Sequence, residues 1–301
     1  MFKFSFRVET DEESSEKPTK GAEENKTPHT EEAAETQDKI LDVYPCEELC
    51  YDPDQPSKRV FNPDVTSIFK PSEDCSVEYL SQLALLDEIF TDDIVTAESD
   101  HSDLIPNRYE GGLKVWECTF DLGLFLVQSE ERKDVLRGKK VLDLGCGAGI
   151  LGIEAAQMGA KCVDFQDYNK DVLTKLTMAN FELNRNSNED NGDKQESNPA
   201  VRFYSGDWGS FTEKYHNKYD LILTSETIYS TQNYPKLLEL FDQKLEPDGV
   251  VYLAAKTYYF GVGGGARLFE KAMDSDGRFQ HEVAWKCDSG VKREILKITR
   301  K

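Results

Sequence analysis

The sequence has no C-x-x-C pair, only four histidines and an odd count of seven cysteines. That excludes a fully paired disulfide framework and the common zinc-finger ligand sets, so the chain reads as a reduced, intracellular protein without structural zinc. No run approaches the ~18 apolar residues of a membrane-spanning helix. The opening Met1-Phe2-Lys3-Phe4-Ser5-Phe6-Arg7 also lacks the continuous apolar stretch of a secretory signal. Basic residues are scarce, 36 against 57 acids, for a net charge of −21 and a pI near 4.6. Such a field works against direct contact with a nucleic-acid backbone or an anionic membrane, and it suits a basic partner or a small cationic ligand. Apolar residues are short as well, at 38% against a usual ~45–50%. Part of the chain is therefore expected to stay outside any core.

The acid is concentrated at the front. Residues 1–54 carry 16 acids against 6 bases, and the stretch 9–54 is rich in Glu, Asp, Ser, Thr, Lys and Pro. Too little apolar surface is present there to offset the entropy of ordering, which predicts a disordered segment. At its tip, over 1–8, Phe2, Phe4, Phe6 and Val8 alternate with Lys3, Ser5 and Arg7. That is a strand pattern, either docking on a partner or sheet edge or anchoring the terminus to its own domain. Over 55–98 a helical lead-in is expected, with Ser72 as cap and Val77, Leu80, Leu83, Ala84 and Phe90 near helical spacing.

From 99 to 301 apolar strands alternate with helices. Strands are expected at Lys140–Leu144, Lys161–Asp167, Val201–Tyr204, Tyr219–Thr224 and Val250–Ala255. The intervening helices fall at Gly112–Gln128, Ile150–Met158, Asp171–Leu183, Tyr234–Leu245 and Arg267–Met273, with 185–199 a polar surface insertion. Two final strand-like runs, Phe279–Trp285 and Glu294–Thr299, have no helix between them. The prediction is an α/β domain with a seven-strand, Rossmann-like sheet, helices on both faces and an antiparallel C-terminal edge hairpin. Ligands in such sheets bind beyond the carboxyl ends of the strands.

The first of these strands runs into Asp143-Leu144-Gly145-Cys146-Gly147-Ala148-Gly149. Gly145 and Gly147 let the backbone approach a ligand, and the following helix offers its N-terminal N–H groups. Gly147 to Gly152 formally fits the dinucleotide pattern G-x-G-x-x-G, which keeps an NAD-dependent oxidoreductase as an alternative. Asp143 would repel a pyrophosphate and attract an ammonium or sulfonium group. Asp-x-Gly-x-Gly-x-Gly after an apolar strand resembles the S-adenosylmethionine signature of seven-strand methyltransferases. Later strand ends agree with that cofactor: Gln166, Asp167 and Tyr168 stand where an acid accepts ribose hydroxyls. Gly206, Asp207 and Trp208 stand where an acid and an aromatic face can meet adenine. Ahead of the sheet, Glu117 beside Trp116 is either a contact to the cofactor's positive end or a surface acid. Ser225-Glu226-Thr227-Ile228-Tyr229 ends the fourth strand of the domain, opposite the reactive side. The glycines of Tyr259-Phe260-Gly261-Val262-Gly263-Gly264-Gly265 read either as a hinge at the start of a helix or as backbone passing close to an incoming peptide.

Together Ser102-Asp103-Leu104-Ile105, the run Tyr109-Glu110-Gly111-Gly112-Leu113-Lys114-Val115-Trp116-Glu117-Cys118-Thr119, Val141–Gly149, Phe165–Asn169, Thr224–Tyr229 and Tyr259–Gly265 resemble the histidine protein methyltransferase family. The likeness covers roughly 99–301 and the Phe-x-Phe-x-Phe tip. It implies methyl transfer from S-adenosylmethionine to the tele nitrogen of a histidine in a large-subunit ribosomal protein, in cytoplasm and nucleus. It also implies cofactor contacts from Val115, Trp116, Glu117, Cys118, Thr119, Gly145, Gln166, Asp167, Tyr168, Gly206, Asp207, Trp208 and Ser225. A neutral imidazole needs no strong base near pH 7, but its tautomer must be selected. Glu226 is the first candidate to accept the pros N–H, with Tyr229 as packing wall or second acceptor. A protein-lysine methyltransferase on the same scaffold and a non-catalytic chaperone of a ribosomal protein remain the other readings.

Overall fold

Apolar residues run unbroken through the central strands because a parallel sheet is covered on both faces; Val141, Leu142 and Leu144 are all fully buried. The computed structural model describes residues 43–52, 63–85, 88, 90–100, 102–128, 134–186, 199–287 and 289–301. The expected strand at 1–8, the acidic segment as far as 42 and residues 187–198 of the insertion expected at 185–199 lie outside the described residues.

In chain order the elements are β1 (Glu47–Leu49), β2 (Thr66–Phe69), β3 (Val77–Leu80), α1 (Asp92–Ser99), α2 (Glu117–Leu126), β4 (Lys140–Leu144), α3 (Ile150–Gln157) and β5 (Cys162–Asp167). Then come the helical run α4 (Lys170–Val172, a π turn at Leu173–Thr177, and Met178–Asn186), β6 (Ala200–Ser205), α5 (Trp208–Lys214) and β7 (Tyr219–Ser225). α6 (Tyr234–Lys244), β8 (Leu245–Lys256), α7 (Ala266–Asp276), β9 (Phe279–Cys287) and β10 (Arg293–Arg300) complete the domain. One sheet has the order β1-β6-β5-β4-β7-β8-β10-β9. β4 to β8 are parallel and β10 is antiparallel to both β8 and β9, which is the expected sheet with its edge hairpin. Side chains of α2, α3 and α4 fill the core on one face, and those of α6 and α7 fill it on the other. Strand order reverses about β4, so the crevice lies beyond the ends of β4, β5 and β7. Among the described residues no helix is long and apolar enough to cross a membrane.

Three expectations need correction. The sheet has an eighth strand: β1, inside the stretch read as disordered to 54, pairs antiparallel with β6, Glu47 against Ser205 and Leu49 against Phe203. The helix expected from Ser72 is instead strand β3, paired with the preceding β2 as a hairpin, followed by a 3₁₀ turn at Gln82–Leu85, with α1 starting only at Asp92. Tertiary contacts override local spacing there. Asn180 accepts from Leu80 N at 2.8 Å, and Asn184 both accepts from Glu78 N and donates to Glu78 O, giving β3 bonding partners that a helix would not use. Finally, the helix expected over Gly112–Gln128 begins only at Glu117, with Trp116 in extended backbone as its cap. Gly111 at φ +78° takes the chain out of helical geometry just before this stretch.

Candidate active site

The glycine loop after β4 lines the cavity at the strand ends. Gly145, Gly147 and Gly149 all have positive φ. A Cβ on Gly147 would stand 3.0 Å from the Gly112 carbonyl oxygen, so the Gly111-Gly112 turn and the loop can approach only without side chains. Asp143 does not line the crevice. It is buried, accepts from Gly152 N at 2.9 Å, and its carboxyl is pushed up to about 8 by burial. Its work is to tie the start of α3 to β4. Thr177, in the π turn, donates to Gly147 O at 2.6 Å; the irregular turn of α4 places that hydroxyl on the loop. Asp167 receives Gly147 N at 3.0 Å and Asn169 N at 3.1 Å, and burial raises its carboxyl to about 6.

Beyond the strand ends opens a cavity of about 880 Å³, measured with its open mouth. Of the residues expected to bind or react, Val115, Trp116, Thr119, Gly145, Gly147, Asp167, Tyr168, Asp207, Trp208, Ser225, Glu226 and Tyr229 line it. Five others stand apart. Glu117 is mostly exposed and faces Arg293 at 3.5 Å, which agrees with the surface-acid reading. Cys118 is fully buried, its thiol raised by burial and then by the charge of Glu226. Gln166 is a layer behind, holding Trp208 Nε1 at 2.9 Å and donating to Gly206 O at 2.8 Å. Gly206, at φ +109°, lies so close to Pro45 that a Cβ would meet its carbonyl oxygen at 2.6 Å. Asp143, as above, is the fifth. Asp207 keeps one oxygen on Gly209 N and Ser210 N as the cap of α5 and pairs the other with Lys236, which orients it more firmly than a lone turn acid.

Another wall of the cavity is formed by the turn after β7. Glu226 has φ +60°, a position L side chains seldom occupy, and its N–H donates to Ala254 O at 2.9 Å. Its carboxylate is almost wholly buried, 3.6 Å from Lys256 Nζ. Thr119 donates to Ser225 Oγ at 3.1 Å, joining α2 to this turn. Tyr229 donates its hydroxyl hydrogen to Glu110, and burial followed by that carboxylate holds the phenol well above its ordinary value. The glycines of 261–265 are fixed against the same turn: Gly264 N donates to Tyr229 O at 2.9 Å, and Gly265 is the cap of α7.

Sequence reasoning missed Glu110, Lys114, Cys146, Ala148, Thr227 and Lys236, all of which line the cavity. Cys146 and Ala148 sit between glycines already singled out. Glu110 stands in the quoted Glu-Gly-Gly run, but its partner Tyr229 is 119 residues away. Among the described residues no His, Cys, Asp and Glu cluster could hold a metal ion.

A family model described as lysine methyltransferase matches residues 103–261. The histidine protein methyltransferase 1 homolog of Bos taurus is 38% identical over 264 residues, covering 81% of this chain and 70% of that protein. Its namesake in Rattus norvegicus is 39% identical over 262 residues, covering 81% and 72%. That of Dictyostelium discoideum is 42% identical over 205 residues, covering 67% and 62%. Among solved structures, a ribosomal protein L11 methylase from Lactobacillus delbrueckii subsp. bulgaricus aligns at 20% identity and a TM-score of 0.46, covering 78% of this chain and 98% of that one, a likeness too slight to inform the site. A doubly covered sheet with this crest cavity and these relatives defines a methyltransferase enzyme. The chain belongs to the histidine protein methyltransferase family.

Proposed function

We propose that this chain transfers a methyl group from S-adenosylmethionine to the tele nitrogen of a histidine in a large-subunit ribosomal protein, in cytoplasm and nucleus. The observation that carries the reading is the crest cavity, where a glycine-rich loop meets the carboxylates of Glu110, Asp167, Asp207 and Glu226. Acids outnumber the lining bases Lys114 and Lys236, which suits a cationic donor carrying one carboxylate. Asp167 and Tyr168 would hold the ribose side, Asp207 and Trp208 the adenine side, and Glu226 would face the positive end. The named activity of the relatives supports histidine as acceptor, and a net charge of −21 supports a basic protein as substrate.

S-adenosylmethionine supplies, when bound, an electrophilic methyl on a sulfonium sulfur that departs as a neutral thioether. The chain's own groups have to exclude water, hold the acceptor ring in line and present one nitrogen lone pair; positioning of that kind supplies up to ~7–11 kcal/mol. Glu226 adds a buried negative charge beside the imidazolium that forms, worth more in this desolvated setting than in water. The test is calorimetry with S-adenosylhomocysteine and with NAD, followed by labelled-methyl incorporation into large-subunit ribosomal proteins made in bacteria, hence unmethylated. Binding of the former alone and one labelled protein are expected. Binding of NAD in its place, or an unlabelled panel, would overturn the reading.

A further inference from the structure

The segment that carries Glu110 is fastened to the cofactor side of the crevice. Asn107, at φ +60°, accepts from the Tyr168 hydroxyl at 2.7 Å. Asn169 accepts from Glu110 N at 3.1 Å and donates to Arg108 O at 2.6 Å. Glu110 itself is left with two carboxylate oxygens, and both are taken. One accepts from Asn107 N at 2.7 Å and the other accepts the hydroxyl hydrogen of Tyr229. Tyr229 is held from the far side by Gly264 N on its carbonyl at 2.9 Å, and its ring packs edge-on to Tyr259 at 6.4 Å. The pair joins the Glu110 segment to the turn after β7 along the cavity lining.

A phenol has one hydrogen to donate and two lone pairs to accept with. Once its hydrogen is committed to Glu110, Tyr229 can only accept from whatever enters the cavity. We infer that Glu110 is a positioning residue that fixes Tyr229 as a hydrogen-bond acceptor, so that Tyr229 takes the pros N–H of the substrate imidazole and leaves the tele lone pair for the methyl group. This rests on the histidine reading above. In the step itself the tele nitrogen's lone pair forms the bond to the methyl carbon, and the carbon–sulfur pair returns to sulfur. The pros hydrogen stays on its nitrogen, hydrogen-bonded to Tyr229's oxygen, until the methylated imidazolium gives it up to water. Glu226, the first candidate for that acceptor, lines the same cavity, with its carboxylate 3.6 Å from Lys256 and near Cys118 and Tyr259, and is assigned a different task. Its part is charge rather than tautomer choice.

The inference makes an unusual demand of the isosteric variant. In Glu110→Gln the amide oxygen must serve the fixed Asn107 N–H, and the amide NH₂ then donates to Tyr229. That turns the tyrosine's own hydrogen toward the cavity, where it favours the wrong imidazole tautomer. Tyr229→Phe merely removes the selector. The full-length protein and both variants are assayed with labelled S-adenosylmethionine on bacterially made large-subunit ribosomal proteins, with S-adenosylhomocysteine affinity as control. Tyr229→Phe is expected to lose about tenfold to a hundredfold in kcat, as for a lost hydrogen bond to a reacting group, and to release some pros-methylhistidine. Glu110→Gln is expected to be slower still, with cofactor affinity in both within a few-fold of wild type. A structural role predicts the opposite order, so Glu110→Gln as fast as or faster than Tyr229→Phe overturns the inference, as does wild-type kcat with tele product alone in Tyr229→Phe. A wild-type product of methyllysine would remove the functional reading first and this inference with it; methylhistidine with the reversed order removes the inference alone.

Discussion

Gln166 Oε1 accepts from the indole N–H of Trp208 at 2.9 Å, and the same amide donates to Gly206 O at 2.8 Å. One side chain at the end of β5 thus sets both the plane of the aromatic wall and the backbone that precedes it. Gln166→Leu keeps the volume and removes both bonds. Each such bond is worth ~1 kcal/mol, more where a buried partner is left unsatisfied, so S-adenosylhomocysteine affinity should fall about tenfold in calorimetry, with the fold intact by circular dichroism. An unchanged affinity would mean that Trp208 does not bound the cofactor side.

On the proposed mechanism, Glu226→Gln retains shape while removing the buried charge that stabilises the forming imidazolium. Turnover should fall by about one to two orders of magnitude, in line with the loss of an electrostatic contact made in the transition state, while S-adenosylhomocysteine affinity changes only slightly. Wild-type turnover would take Glu226 out of the chemistry.

The carboxyl of Asp143 is raised from its ordinary range to about 8, so it is neutral in the fold at pH 7 and charged in the unfolded chain. A raised acid contributes stability that is complete below the unfolded pKa of ~3.9 and is lost as pH climbs through the folded one. Asp143→Asn can still accept from Gly152 N and has no charge to desolvate. Thermal melts of the ligand-free proteins should therefore show the variant gaining on wild type from pH 4 to pH 8, then running parallel. The gain is on the order of a few kcal/mol. A constant offset across that range would show that Asp143 is ionised in the fold.

Gly264 has no room for a side chain, since a Cβ would lie 2.3 Å from the carbonyl oxygens of Ile228 and Tyr229. Gly264→Ala should displace the turn that carries Tyr229 and cost about 1–3 kcal/mol, as overpacking of a tight site does. The measurements are urea unfolding and kcat. A variant as stable and active as wild type would show that this contact does not hold the turn.

Much of this was legible in the chain because the signals are local. Val141 to Gly149 shows strand, turn and helix start in nine consecutive residues, and the acids Asp167 and Asp207 follow at successive strand ends. The hairpin of β2 and β3 was not legible, since Val77 and Leu80 are three apart whether they lie on a helix or, as here, at the two ends of a short strand. Nor was the direction of Asp143, because a strand buried on both faces gives no alternation to say which side chain meets the ligand. Glu110 acquires its meaning only from Tyr229, a partner that folding brings across more than a hundred residues.

The most direct test of the account is the chemical identity of the methylated residue. The single ribosomal protein labelled by the wild-type enzyme is hydrolysed and its labelled amino acid separated against tele-methylhistidine, pros-methylhistidine and the methyllysines. All of the label should run with tele-methylhistidine; label in a methyllysine would contradict it.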